Sequence, residues 1–405
     1  MVLLSDTGPL RRELAAAFPE RPFSIEFWDG SVVPATDVDG GPMFSVRSPQ
    51  ALAHALRAPG QLGLGRAYVS GELEVDDLEA VLALLGEWNP PPLDRRAQAR
   101  LALAAARACG LTPPPKPPAS ELQPRGRRHS RERDARAVRH HYDVSNEFFR
   151  LMLGDSMTYS CALWSRGAST LEEAQEAKLE LVCQKLALEP GQRVLDVGCG
   201  WGSFAIHAAA KHGVHVVAIT LSEPQAALAR RRTSELGLGE RVEIRVADYR
   251  ELADPPFDAV ASIGMVEHVG SAQIDVYAER VARMVKPGGR MLNHGISRLR
   301  HGEPEAGPFS ERYVFPDAAP LHLSRIQFAL ERAGLATAHV EELEGDYVTT
   351  LEHWAQNVDE RRDEALRLIG PERLRVWRLY LRVARNGFRS GFTSVYQVRC
   401  RRPRA

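Results

Sequence analysis

The sequence predicts an α/β protein, a doubly wound and mostly parallel sheet, with a small α+β domain in front of it. Three observations carry that prediction. Strand-like and helix-like segments alternate from about residue 190, a glycine-rich turn follows the first of those strands, and a proline-rich stretch separates the alternation from an N-terminal region of different character. With 405 residues, 44% of them hydrophobic and 26% charged, the chain is long enough for two cores.

The N-terminal region opens with short extended runs, FSIEFWDGSVV and GPMFSVRS, and continues into helical patterns up to GEW at 86–88. This predicts a small accessory domain over residues 1–111. The next stretch, LTPPPKPPASELQPRG, is rich in prolines, which remove amide donors and disfavour helix in the residues before them. It reads as the start of a linker over 112–136, with a second, larger domain following over 137–405. Charge changes sign across this linker. Residues 1–115 hold ten basic and fourteen acidic side chains, whereas 125–141 hold seven arginines, three histidines and two acids. That run is either a solvated helix face or a contact for anionic lipid headgroups. No helix-turn-helix, zinc-finger or aromatic RNA-binding pattern accompanies it, which argues against nucleic acid.

Within the larger domain, RVLDVGCG, HVVAITLS, RVEIRVAD and FDAVASIG read as strands, with helical segments between them. The region 300–390 reads as helical and aromatic, and FTSVYQVRC as a last strand returning to the sheet. Lys plus Arg and Asp plus Glu each total 52, so global charge selects no partner. No signal peptide and no apolar run of about 20 residues is present, which predicts a cytoplasmic protein. The five cysteines form no CxxC pair, and His140–His141 lacks a companion ligand set such as HExxH, so no metal is expected.

The sharpest local signal is VLDVGCGWGSF. Gly198, Gly200 and Gly202 let the backbone turn tightly and approach a ligand at a helix N-terminus. Nicotinamide and flavin enzymes also use such turns, but here the spacing is D-x-G-x-G-x-G with Asp196 inside it. The second strand ends in AITLSEPQ, offering Thr220, Ser222 and Gln225 where a dehydrogenase places an acid for the ribose.

These motifs, taken with HHYDVSNEFFRLMLGDSMTYSCALW, ASIGMVEHVG, NHGIS, GDYVTTLEHWAQN and GFRSGFTSVYQV, occur in the order of the cyclopropane-fatty-acyl-phospholipid synthase family. The chain resembles that family from about 137 to 400, and the N-terminal domain resembles the accessory domain of its longer bacterial members. The resemblance implies a class I methyltransferase sheet of Rossmann-like type with a helical lipid-binding insertion, using S-adenosylmethionine. It places the cofactor against Tyr159, Ser160, Asp196, Gly198, Gly200, Gly202, Thr220, Leu221 and Gln225. It also implies a bicarbonate ion caged by Cys161, Glu267, His294, Ile296 and Tyr347, with Ile296 contributing backbone groups.

The implied reaction explains such a cage. An alkene that attacks a sulfonium methyl group leaves positive charge on a carbon chain, and a base must take a proton from the new carbon to close a cyclopropane ring. Alternating sides on a strand put His294 and Ile296 on one face, and Glu267 follows the preceding strand. Aromatic residues Tyr142, Phe148, Phe149, Trp164, Tyr313, Phe315 and Trp354 are either plain core or the lining of an acyl tunnel. Many relatives carry a cysteine where this chain has Ala384, so no nucleophile acts from that position. The implied substrate is the cis double bond of an unsaturated phospholipid acyl chain, reached by peripheral membrane contact at the inner face of the cell membrane, and the implied assembly is a homodimer. A methylene-branched product is the alternative within the family. A methyltransferase of a small soluble substrate and a non-catalytic lipid-binding protein are the readings outside it.

Overall fold

The computed structural model describes residues 6–37, 40–110, 113, 115–123, 126, 130–142, 144–299, 308–318 and 320–404, with side chains outside the description at 85, 131, 135 and 138–140. Much of the basic run at 125–141 therefore lies outside the described residues. The chain forms two compact units. One comprises Met1–Gln123, Gly307–Tyr313 and Gly370–Val383; the other comprises Pro124–Ala306, Val314–Ile369 and Ala384–Ala405. The sequence reading gave all of 137–405 to one domain, whereas the first unit draws two segments from that range.

The larger unit is built on seven strands: β1 (Arg193–Val197), β2 (His215–Thr220), β3 (Val242–Val246), β4 (Phe257–Ile263), β5 (Val285–Arg298), β6 (Ala336–Glu342) and β7 (Thr393–Arg401). Their spatial order is β6-β7-β5-β4-β1-β2-β3. The five strands from β5 to β3 are parallel, and β7 runs antiparallel to both β5 and β6. Strand order reverses between β1 and β4, and the crevice at their C-terminal ends is where an open sheet of this kind receives a ligand. Apolar runs such as Val194, Leu195 and Val197 are buried because helices cover both faces. On one face, helices α1 (Leu171–Leu186), α2 (Ser203–His212) and α3 (Glu223–Glu235) contribute Val182, Leu186, Phe204, Ala208 and Ala229 to a single core. On the other, the helices Ile274–Met284 and Leu323–Arg332 supply Tyr277, Val281, Ile326 and Leu330. Helix α1 starts at a capping box in which the Thr170 side chain accepts from Glu173 N–H and the Glu173 carboxylate answers the Thr170 backbone.

Strand β6 was not legible in the sequence, where 300–390 read as helical. It is an edge strand with most of its residues exposed, so ATAHVEE carries no buried alternation to reveal it. The smaller unit has a four-stranded sheet made of Val32–Val33, Ser24–Phe27, Met43–Val46 and Leu73–Val75, in that order, with helices including Pro49–Arg57 and Arg95–Cys109 around a core of Phe27, Val46, Ala67 and Ala108. In the same unit Arg66 makes two 2.7 Å bonds to the buried Glu121.

Candidate active site

The glycine-rich turn leaves β1 with Gly198, Gly200 and Gly202 all at positive φ. The amides of Gly198 and Cys199 are tied to the Ile219 carbonyl of β2, at 3.0 and 2.8 Å, which fixes the turn over the strand ends. A cavity opens there, lined by Tyr159, Ser160, Asp196, Gly198, Gly200, Thr220, Leu221 and Gln225. Of the cofactor residues expected from the sequence, Gly202 is the one that does not line it. Gly202 instead begins α2, and a side chain there would meet Ala229 Cβ at 3.2 Å, so its contribution is close packing of α2 against α3. Thr220 donates to Gln225 at 2.7 Å, which holds the end of β2 to the first turn of α3.

Two ionisable groups face this cavity from positions that are fully enclosed. Asp196 is 1% exposed, and its Oδ2 has no hydrogen-bond partner among the described residues. Burial pushes its carboxyl up to about 7, against the pull of the Lys178 ammonium. Lys178 on α1 is equally enclosed and donates to Ser160 Oγ at 2.7 Å, and burial lowers it to about 8. Nothing in the sequence pattern singled out Lys178. Asp248, Trp201, Met265 and His268 also line the cavity and were likewise missed. Asp248 follows β3 directly, so the rule that ligands gather at strand C-termini could have found it.

A second cluster lies where β4, β5 and β7 come together. Glu267 sits in the short turn Val266–His268 after β4, and its Oε1 accepts from the Ile296 N–H at 2.6 Å. Its Oε2 is buried with no partner among the described residues, and burial pushes the carboxyl up to about 7. Ile296 thus spends its amide on Glu267. It positions the carboxyl. His294 is two residues earlier on β5, and burial lowers its pKa well below the usual imidazole value. Cys161 and Tyr347 meet at one carbonyl, that of Leu343, which lies 3.6 Å from Cys161 Sγ and accepts the Tyr347 amide at 3.1 Å. Leu343 N–H in turn donates to Val395 of β7, the register partner of Ile296. Glu267, Ile296, Cys161 and Tyr347 are therefore linked through Leu343 and Val395, and His294 stands two residues from Ile296 on the same strand. Desolvation raises the Cys161 thiol well above its ordinary pKa, which excludes a resting thiolate. Gly295 lets β5 run close to this turn, because a Cβ there would lie 2.3 Å from Val266 Cγ1.

Residues 129–398 match the mycolic acid cyclopropane synthetase family. The chain belongs to that family. It is an S-adenosylmethionine-dependent methyltransferase with the class I sheet. A probable fatty acid methyltransferase of Mycobacterium tuberculosis is 37% identical over 397 residues, covering 95% of this chain and 92% of that one. The cyclopropane-fatty-acyl-phospholipid synthase of Escherichia coli K12 is 32% identical over 354 residues, covering 87% and 86%. The solved structure of mycolic acid cyclopropane synthase CmaA1 complexed with SAH and CTAB superposes with a TM-score of 0.63 at 32% identity, over 66% of this chain and 98% of that one.

In this family member an aromatic series connects the two clusters. Tyr347 meets Trp354 with ring centres 6.0 Å apart, Trp354 meets Tyr159 at 5.2 Å, and Tyr159 meets Tyr142 and Phe149 at 6.0 and 5.6 Å. Phe315 joins through His141, at 4.0 Å. Two of the expected tunnel aromatics do other work. Tyr313 belongs to the smaller unit, where its hydroxyl donates to Glu121 at 3.1 Å, and Trp164 stacks on His353 and donates to Thr350. Arg133 of the basic run is likewise committed, to Asp317 through two bonds of 2.5 and 2.6 Å. Elsewhere Cys183, His207 and His212 bring ligand-capable atoms within 4.8 Å of one another, a grouping that the sequence spacing conceals. Both of those imidazoles already engage Glu180, at 3.2 and 3.0 Å.

Proposed function

We propose that this methyltransferase adds a one-carbon unit from S-adenosylmethionine to the cis double bond of unsaturated phospholipid acyl chains and closes a cyclopropane ring. The observation that carries the reading is Glu267, a buried carboxyl with one oxygen pinned by a backbone amide and the other without a partner among the described residues. Methyl transfer to a nitrogen or oxygen nucleophile also sheds a proton, but from a heteroatom that the new bond has made acidic, so water can take it without an enclosed base. Ring closure on a hydrocarbon calls for one, because the proton to be removed sits on carbon and the cation has no heteroatom to share its charge.

The residues suit the groups that this chemistry brings. Asp196 offers the cavity a buried oxygen with no partner among the described residues, which fits the aminium of the cofactor's methionyl part, and the positive-φ turn exposes backbone to the remainder. The cofactor supplies an electrophilic sulfonium methyl group. A bicarbonate ion would be held by Glu267, His294, Tyr347 and Cys161, where it would supply a base. In its neutral form Glu267 carries its proton on the open Oε2 and would donate it to an oxygen of the ion, whose negative charge then meets no second one there. Tyr159 lines the cavity, backed by Trp354 and Phe149, and this aromatic wall would exclude water beside the developing positive charge. Access to the acyl chain is by peripheral contact with a membrane surface; no helix among the described residues is long and apolar enough to cross one.

The test incubates the protein with trideuteromethyl S-adenosylmethionine and vesicles of cis-monounsaturated phospholipid. Acyl chains carrying two of the three deuterons, with saturated vesicles unlabelled, are the expected result. Label in a small soluble acceptor and none in lipid would overturn it. A second reading is a methylene-branched acyl product, since the name of the relatives called fatty acid methyltransferases covers either outcome. It retains the same two deuterons and is separated by the position of the new carbon.

A further inference from the structure

A row of polar residues crosses three adjacent strands of the larger unit at one register. Glu341 of β6 pairs with Gln397 of β7, and Gln397 pairs with His294 of β5. Directly opposed residues share a face, so the three side chains line up across the sheet. Helix α1 covers that face and lowers Lys185 onto the row. Gln397 has no solvent exposure, and a buried carboxamide is costly unless each end finds a partner. Both ends do. Lys185 Nζ lies 2.7 Å from Gln397 Oε1, and Gln397 Nε2 lies 3.2 Å from His294 Nδ1. Lys185 is also ion-paired with Glu341, which in turn holds Arg166 at 3.1 Å.

The direction of every bond in the row follows from its first member. An ammonium is a donor only, so the oxygen of Gln397 must face Lys185 and its NH₂ must face His294. The NH₂ is a donor only, so Nδ1 of a neutral His294 must accept. The proton of the imidazole is then on Nε2. We propose that Lys185 and Gln397 are positioning residues that fix His294 as the Nε2–H tautomer, making it a hydrogen-bond donor to the anion in the cage. This rests on the bicarbonate reading above for the identity of the acceptor, while the tautomer itself is a property of the chain. The arrangement also gives the buried Gln397 carboxamide a partner at each end. A donor aimed at an anion helps only if it cannot turn into an acceptor, and the Lys185 charge removes that freedom.

The experiment is ¹⁵N NMR of histidine-labelled full-length protein near neutral pH, with His294 assigned by its loss in His294→Asn. Nε2 protonated and Nδ1 unprotonated is the expected wild-type state. In Gln397→Glu a carboxylate faces Nδ1, and the proton should move there. Gln397→Leu, which removes the partner without reversing it, should give a mixture. Turnover measured in parallel should require at least tenfold more bicarbonate in Gln397→Glu, with KM for S-adenosylmethionine unchanged. A role in packing alone would leave the tautomer the same in Gln397→Glu. That result, or an Nδ1–H tautomer in the wild type, overturns the proposal. Should Gln397→Glu not fold, Lys185→Met tests the same point, since it releases the carboxamide to rotate and should give mixed tautomers. Wild-type turnover that ignores bicarbonate removes the cage reading alone, because the tautomer is read without any anion present.

Discussion

Replacing Glu267 by glutamine keeps an acceptor for the Ile296 N–H, now the carboxamide oxygen, and removes only the ability to ionise. Burial raises that carboxyl from 4.5 to about 7, a difference worth about 3 kcal/mol between its two protonation states. The folded pKa lies above the unfolded one, so the stability that Glu267 contributes is fully present below about 4.5 and lost as pH rises through about 7. Wild type should therefore become less stable across that window by up to about 3 kcal/mol more than Glu267→Gln, whose side chain does not titrate. Asp196 titrates in the same window in both proteins, so the difference between them isolates Glu267. Turnover should move the other way, falling roughly 10²- to 10³-fold, the size of effect that follows loss of a positioned acid-base group. Urea unfolding of cofactor-free protein at pH 5 and pH 8 gives the first quantity, and label transfer to lipid gives the second. Near-normal turnover in the variant, or equal pH dependence of stability in the two proteins, would refute the assignment of an enclosed ionisable carboxyl to the chemistry.

Other consequences follow from the same geometry. If the cofactor aminium pairs with Asp196, binding lowers a carboxyl that burial holds at about 7, so S-adenosylmethionine should release a proton at pH 6 and none at pH 8.5. Calorimetry in two buffers of different ionisation enthalpy reads this directly, and Asp196→Asn should abolish it and weaken binding at least tenfold. Lys178→Met removes an ammonium that desolvation holds at about 8, and with it the rise in stability expected between about pH 8 and 10.5; a variant that keeps this rise assigns it elsewhere. In the smaller unit, Glu121→Ala strands the Arg66 guanidinium and should cost about 3–5 kcal/mol by urea unfolding, whereas the double change Arg66→Met, Glu121→Leu should cost far less. Equal losses in those two variants would mean that packing, and not charge, sets the cost.

The parallel sheet and the glycine turn were legible because a buried strand must be apolar and a tight ligand-approaching turn must be glycine-rich, and both constraints are local. Strand β6 was hidden because an exposed edge places almost no demand on side-chain polarity. The cage residues were named through family resemblance, and their linkage through Leu343 and Val395 depends on register between strands far apart in the chain, which no local pattern records. Lys178, Lys185 and Gln397 were invisible for a related reason. On a sequence, two lysines of an amphipathic-looking helix belong to a solvated face, and only the packing of α1 onto the sheet shows that Lys178 is 1% exposed and Lys185 9%. Tyr313 is core of the smaller unit, stacked on Phe309, whereas Phe315 two residues later belongs to the larger one, a boundary that no local pattern marks.

The central claim is a chemical one, that a carbon from S-adenosylmethionine becomes part of a ring on a lipid chain. Proton NMR of the acyl chains recovered after incubation with unlabelled cofactor and cis-monounsaturated phospholipid vesicles tests it most directly. Upfield ring-methylene signals appearing in step with cofactor consumption are the result the site predicts. Vinylidene signals in their place, or no new carbon on the lipid, would contradict it.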